Sequence, residues 1–331
     1  MKAIVMTAIG ESDVLVEQTL TPPTIHHPTQ IKVRLHAAGV NPVDTKVRRN
    51  GLFYPNATLP AVLGCDGAGE VVEVGADVTQ FKIGDKVWFC HGGLGREQGN
   101  YAEYTVIDSR WASLMPTSVS FETAAAAPLV LITAWNALFE RGNLQAGQTV
   151  LIHAGAGGVG HVAIQLAKMA GAHVITTVSS TEKSEFVKAL GADDVVFYNT
   201  SNVTDEVNRL TQYRGADLVF DTVGSDVFKL SIGCTAHFGR LITILDASHL
   251  DLSEARLRNL LIGFELMLTP MLRDLDSARD KHVELLKKCA DLIDAGKLNI
   301  HVSEVLPLEH ASRAHDLIEA GHTTGKLVLS I

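Results

Sequence analysis

The chain has 331 residues, 46% hydrophobic and 20% charged, which fits about two soluble globular domains, each large enough to bury a sizeable core. A formal charge of −9 excludes nucleic acid and an anionic membrane surface as the main partner, because no face of the sequence supplies the clustered Lys and Arg they need. The four cysteines, Cys65, Cys90, Cys234 and Cys289, are far apart and form no CxxC pair, so they read as reduced thiols of a cytoplasmic protein without a disulfide framework.

The first residues, MKAIVMTAIGESDVLVE, lack a sustained apolar core and a small-residue cleavage site and read as a first strand, not a signal peptide. Up to about Ser120 the pattern is β-rich, with strands expected at 31–37, 68–74 and 86–90 and turns at Pro22-Pro23, Asn41-Pro42, Gly75 and Gly84-Asp85. No helix-crossover rhythm interrupts them, so this part is expected to be mostly antiparallel. The longest apolar stretch, 124–135, is broken by Pro128 and too short to span a bilayer. From Phe121 onward the rhythm changes. Strands at 150–153, 173–178, 194–198, 218–222 and 240–245 alternate with helices at 159–170, 181–190, 204–213 and 226–236, the pattern of a doubly wound parallel sheet. A further strand at 260–268, helices at 277–295 and 309–320 and a last strand at 326–331 abandon that spacing, so the tail is expected to rejoin the first domain.

Within the second part, an apolar β-branched run at 149–153 leads into Ala154-Gly155-Ala156-Gly157-Gly158-Val159-Gly160, and an apolar stripe of Val159, Val162, Ala163, Leu166 and Ala170 follows. That is strand, tight turn and helix. Gly155, Gly157 and Gly160 fit G-x-G-x-x-G: the first turns the chain, the second lets a pyrophosphate approach the backbone, and the third packs helix on strand. Phosphates are then expected against the unpaired N–H groups at the positive end of the helix, held by Gly155, Gly157, Gly158, Val159 and Gly160. NAD enzymes of this fold place an acid about twenty residues on, to hold the ribose 2′-OH, yet no acidic residue lies between His161 and Thr181. The second strand ends in Thr177-Val178-Ser179-Ser180-Thr181, followed by Lys183. Hydroxyl donors, a helix start and a cation together point to the 2′-phosphate of NADPH. Glu182 is the counter-argument, although a first-turn Glu also serves the helix dipole.

Asn41-Pro42-Val43-Asp44-Thr45, Gly64-Cys65-Asp66-Gly67-Ala68-Gly69, Gly84-Asp85-Lys86-Val87, the glycine turn and the closing Thr324-Gly325-Lys326-Leu327-Val328 resemble, in order and along nearly the whole chain, the medium-chain dehydrogenase/reductase superfamily. Within it they are most similar to the zinc-free quinone oxidoreductase and zeta-crystallin branch. The resemblance implies an α/β architecture. A GroES-like, mostly antiparallel β domain is built from 1–124 and 272–331, a Rossmann domain from 125–271, and the active-site cleft lies at their junction. It also implies a homodimer or homotetramer in which the strand at 260–268 pairs across a subunit boundary. In the zinc-dependent members the first ligand position, a cysteine, corresponds to Asn41, and the histidine of their G-H-E motif corresponds to Cys65. Their third ligand has no counterpart in 129–133. A catalytic zinc needs three protein ligands, so no metal is expected. Cys90 and His91, all that stands in the lobe that binds structural zinc elsewhere, are adjacent and adjacent residues rarely converge on one ion.

Without a Lewis acid, the expected chemistry is hydride transfer from NADPH to an acceptor that delocalises the arriving charge, a quinone or other conjugated carbonyl. Two other readings share the motifs: a reductase of an enoyl thioester or specific enone, and an NADPH-binding protein with little turnover. The resemblance places Asn41 near the nicotinamide, with Asp44 in the same loop, Tyr54 at the cleft edge and Thr133 at the domain junction, and gives Lys183 and Tyr198 a grip on the 2′-phosphate. The residues also carry plainer readings. Asn41 precedes Pro42 and shapes a turn, Asp44 caps it, and Tyr54 is a surface aromatic in a loop. His153 reads as a hydrogen-bonded packing residue, Lys46 and Arg49 as solvated charges, and Asp221 as a loop hydrogen-bond acceptor.

Overall fold

The computed structural model describes residues 1–246 and 251–331. The chain divides into two compact units, Met1–Leu129 with Leu268–Ile331, and Val130–Met267. Sequence reasoning set the limits at 124 and 271. Two hydrogen bonds tie the intervening residues into the first unit: the Leu129 N–H donates to Asp66 Oδ1 at 3.0 Å, and the Met271 carbonyl accepts from the Tyr54 hydroxyl at 2.9 Å.

In the first unit the long strand Gln30–Val40 is the hub of a seven-stranded sheet. Ile31, Val33 and Leu35 alternate inward along it and pack with Val71, Val87, Phe89 and Ile107, the period-two pattern of a half-buried strand. Asp66–Val74, Tyr104–Asp108 and Lys86–Cys90 extend the sheet by antiparallel pairing. The tail does rejoin it: Lys326–Ser330 pairs antiparallel with Gln30–Val40, with Leu327 opposite Val40. Val302–Pro307 then adds in parallel on the outside. A three-stranded antiparallel sheet of Leu15–Thr19, Lys2–Met6 and Ala61–Val62 completes the unit.

At Asn41-Pro42, where a turn was expected, a nine-residue helix begins, Pro42–Asn50. Proline suits the first helical position because its missing N–H would have had no partner there, and the Asp44 carboxylate reaches back to the Asn41 N–H at 2.8 Å.

The second unit carries one parallel six-stranded sheet of β1 (Thr149–Ile152), β2 (His173–Val178), β3 (Asp194–Phe197), β4 (Ala216–Asp221), β5 (Thr235–Thr243) and β6 (Leu261–Phe264). The spatial order is β3-β2-β1-β4-β5-β6, the doubly wound arrangement whose order reverses between β1 and β4, where such sheets bind ligands outside their carboxyl ends. Leu151, Ile175, Val219 and Leu241 from four neighbouring strands form its core with Phe228 and Ile232 of the helix Asp226–Cys234. The strand expected at 260–268 is shorter, Leu261–Phe264, because the chain leaves the sheet before the helix Thr269–Leu272, which carries Pro270 in its first turn. Among the described residues no helix is long and apolar enough to cross a membrane.

Candidate active site

In the second unit, β1 delivers the chain into the glycine turn and the helix Gly158–Met169 leaves it. The three glycines differ in what makes them glycine. A Cβ on Gly155 would lie 2.0 Å from the Thr176 hydroxyl, which donates to the Ile152 carbonyl at 2.7 Å, and one on Gly160 would lie 2.4 Å from the Ala154 carbonyl oxygen and 2.7 Å from Gly155 Cα. Both positions are closed by close packing of the turn. Gly157 has an ordinary extended backbone (φ −78°, ψ 177°), and a Cβ there would meet only the Ala154 carbonyl oxygen, at 3.2 Å. Conformation does not demand glycine at 157 and packing there is tight without being closed, which leaves the approach of a ligand as the further reason. Gly157 is the N-cap of the helix and supplies no side-chain cap, so the N–H groups of Gly158, Val159 and Gly160 are left to an outside acceptor. The turn fits a dinucleotide pyrophosphate.

Around the turn the side chains are committed. The Thr177 hydroxyl accepts from the Ala154 N–H at 3.0 Å and lies 3.4 Å from His153 Nδ1. Ser231 Oγ lies 3.0 Å from His153 Nε2 and donates its own proton to the Val227 carbonyl at 2.6 Å. Ser231 has one hydrogen to give, so it accepts from Nε2–H, and Thr177 donates to Nδ1. Burial holds the His153 ring near pKa 4, with Asp221 opposing the shift. His153 is therefore a neutral packing residue that ties β1, β2 and the helix Asp226–Cys234 together. Asp221 accepts from the N–H groups of Val223 and Gly224 and from the Thr243 hydroxyl, at 2.9, 2.8 and 2.9 Å.

At the carboxyl end of β2, Ser180 is the N-cap of the helix Thr181–Ala189, its hydroxyl accepting from the Lys183 N–H at 3.2 Å. Its proton remains available to a ligand. The parallel register pairs Val178 with Phe197, so Ser179 and Tyr198 emerge side by side, and Asn199 Nδ2 donates to the Ser179 carbonyl at 2.9 Å. Tyr198 is exposed and Lys183 half-buried. Glu182 is exposed in the first helical turn, where its charge suits the dipole.

In the first unit, Asn41 and Asp44 come together in a buried polar cluster that sequence reasoning did not assemble. Asn41 Nδ2 donates to Asp66 Oδ2 at 2.9 Å, while its Oδ1 accepts from Lys326 Nζ, which also donates to the Val40 carbonyl at 2.9 Å. Asp44 Oδ2 accepts from the Tyr101 hydroxyl at 3.1 Å, and that hydroxyl lies 3.3 Å from His315 Nε2. Burial pushes the Asp44 carboxyl up to about 7, against the hydrogen bond from the Asn41 N–H, and Asp66 up to about 6, against the pull of Lys326. Burial likewise lowers Lys326 and drives the Cys65 and Cys90 thiols well above their usual range.

This donor set does not fit a tetrahedral zinc. Both polar ends of Asn41 are engaged, and the Lys326 side chain stands among the carboxylates. Among the described residues no group of three or more His, Cys, Asp and Glu converges as a metal requires. His91 is buried and accepts from Arg279 at 2.7 Å through Nδ1.

Tyr54 gives its hydroxyl proton to Met271, with the Arg96 guanidinium 4.7 Å over its ring, so it is a tethered side chain and not a free loop aromatic. Thr133 is buried on the helix Pro128–Trp135. Lys46 is exposed as expected, but Arg49 is not merely solvated: Nε and Nη2 grip the Glu319 carboxylate at 2.5 and 2.9 Å, and Nη1 meets Glu11 at 2.7 Å. Of Asp66 and Lys326, which sequence reasoning left without roles, Lys326 carried a signal: a charge opening the apolar run Leu327-Val328-Leu329.

Comparison with known proteins fits this geometry. Residues 27–117 match the family described as Alcohol dehydrogenase GroES-like domain, and residues 190–329 the family described as Zinc-binding dehydrogenase. A quinone oxidoreductase of Pseudomonas aeruginosa is 36% identical over 329 residues, 99% of each chain. An alcohol dehydrogenase superfamily protein from Novosphingobium aromaticivorans superposes with a TM-score of 0.92 at 32% identity, covering 100% of this chain and 99% of its own. The Escherichia coli quinone oxidoreductase complexed with NADPH superposes with a TM-score of 0.89 at 29% identity, covering 100% of both. With the GroES-like sheet, the doubly wound sheet and the glycine turn all in place, the chain belongs to the medium-chain dehydrogenase/reductase superfamily and is an oxidoreductase of the quinone oxidoreductase kind.

Proposed function

We propose that this protein is an NADPH-dependent reductase that passes hydride to a quinone or other conjugated carbonyl and works without zinc. The observation that carries the reading is the cluster at Asn41: the carboxamide stands where the zinc-dependent members have their first ligand and is engaged at both ends by Asp66 and Lys326, and the second ligand position holds the thiol of Cys65. NADPH supplies the hydride. With no Lewis acid to lower an alcohol's pKa, the acceptor must spread the arriving charge itself, as quinones and enones do. The pyrophosphate is assigned to Gly155, Gly157, Gly158, Val159 and Gly160, and the 2′-phosphate to Ser179, Ser180, Lys183 and Tyr198, with Glu182 exposed in the same first helical turn. Asn41 and Thr133 are assigned to the acceptor and the nicotinamide. Asp44 holds the Asn41 backbone, and Tyr54 retains its oxygen lone pairs for a substrate.

The same reading makes the protein a cytoplasmic homodimer or homotetramer. Leu261 and Phe264 stand 55% and 57% exposed on β6, the outer strand of the parallel sheet, and an apolar open edge of this kind is suited to pairing with a second copy.

The test is NADPH and NADH oxidation measured with quinones, enones, enoyl thioesters and simple alcohols on metal-analysed protein. Preference for NADPH with a conjugated carbonyl is expected. Alcohol oxidation with a kcat/KM equal to the best quinone or enone, or activity lost on chelation and restored by zinc, refutes the reading.

A further inference from the structure

We propose that Lys326 is a positioning residue: by donating to the carboxamide oxygen of Asn41 it sets the direction in which that side chain's N–H donors point. The inference rests on the reading that Asn41 serves the hydride acceptor. An ammonium offers only donors and a carboxylate only acceptors, so the amide between them has one workable orientation. Its oxygen faces Lys326 Nζ and its nitrogen faces Asp66 Oδ2 at 2.9 Å. The flipped amide would set N–H against ammonium and carbonyl against carboxylate.

Each neighbour is itself fixed to the main chain. Lys326 is 3% exposed and donates to the Val40 carbonyl, and the pairing of Leu327 with Val40 puts its side chain there. Asp66 accepts from the Leu129 N–H at 3.0 Å through its other oxygen. The Asn41 backbone is held in turn by Asp44. Of the two hydrogens on Nδ2, Asp66 takes one, and the second is the donor assigned to the acceptor's oxygen. Without the ammonium, only Asp66 still opposes the flip, and the donor turns away in a fraction of the molecules.

Lys326→Met, Asn41→Ala and the Lys326→Met/Asn41→Ala pair are assayed for NADPH oxidation with a benzoquinone. Lys326→Met is expected to lower kcat about 100-fold, the scale of a misdirected positioning contact, while KM for NADPH moves less than about threefold. The pair is expected to be no slower than Asn41→Ala alone, because both changes remove one function. Lys326→Met also leaves Asp44 and Asp66 without their counter-charge, so Lys326→Met/Asp66→Asn, which removes a carboxylate with the ammonium, is measured beside it. It is expected to melt cooperatively and to keep the kcat deficit. Losses that multiply in the Asn41 pair, or wild-type kcat in Lys326→Met/Asp66→Asn, overturn the inference while leaving Asn41's role intact. Wild-type kcat in Asn41→Ala overturns the role of Asn41, and the inference with it.

Discussion

Replacing Gly157 and Gly160 separately by alanine distinguishes a glycine kept for a ligand from one kept for packing. At Gly160 the new methyl would lie 2.4 Å from the Ala154 carbonyl oxygen, 2.7 Å from Gly155 Cα and 2.9 Å from Gly155 C. All three are backbone atoms, which cannot rotate away, so the turn and helix must separate. Overpacking of this kind costs roughly 1–3 kcal/mol, and at roughly 2–4 °C per kcal/mol the Tm should fall by roughly 2–12 °C. At Gly157 the methyl meets one atom, at 3.2 Å, on a backbone any residue adopts, so Tm should stay within about 2 °C. The methyl there narrows the approach of a pyrophosphate to the turn, and a loss of at least about 1.4 kcal/mol, or tenfold in Kd, is expected for NADPH. The assays are thermal melts without cofactor and fluorescence titration with NADPH well below either melt. If Gly157→Ala binds NADPH as the wild type does, or destabilises as much as Gly160→Ala, the division of labour within the turn is wrong.

Lys183→Ala should weaken NADPH by roughly 10- to 150-fold, the loss of a charge-assisted hydrogen bond of about 1.5 to 3 kcal/mol, and leave NADH nearly unchanged. Equal losses for the two cofactors would remove the 2′-phosphate site. The buried carboxyls give stability a pH dependence: the folded protein keeps protons on Asp44 and Asp66 up to about 7 and 6, whereas the unfolded chain releases them near 3.9. Their cost is absent below about pH 4, grows as pH rises and is complete above about pH 7, reaching at most roughly 4 kcal/mol for Asp44. Asp44→Asn should therefore flatten the rise of urea sensitivity between pH 5 and 8, and an unchanged slope would show that Asp44 is ionised throughout. Phe264→Glu on the open edge of β6 should lower the mass measured by light scattering to that of a single chain, and a full-size assembly in that variant would move the subunit interface elsewhere.

The alternation of strand and helix after residue 121, the glycine turn and the missing acid beyond it were all legible in the sequence, because each is a local matter. Side-chain period follows from backbone geometry, and a glycine-rich turn between a β-branched run and an amphipathic run has few other uses. The helix Pro42–Asn50 was also within reach of local reasoning, since Asn41-Pro42 with Asp44 is a helix start as well as a turn, and the turn reading prevailed only because β signals surround it. The buried cluster was not within reach. Asp66 and Lys326 lie at opposite ends of the chain and meet across Asn41 only because the last strand pairs antiparallel with Gln30–Val40 in the register that sets Leu327 against Val40. A register is decided by the packing of whole sheet faces, so no stretch of sequence announces it. For the same reason Arg49 looked like a solvated charge until the helix Ala311–Ala320 brought Glu319 to it. The kinds of residue the site contains were written locally, while which of them touch was decided by the fold.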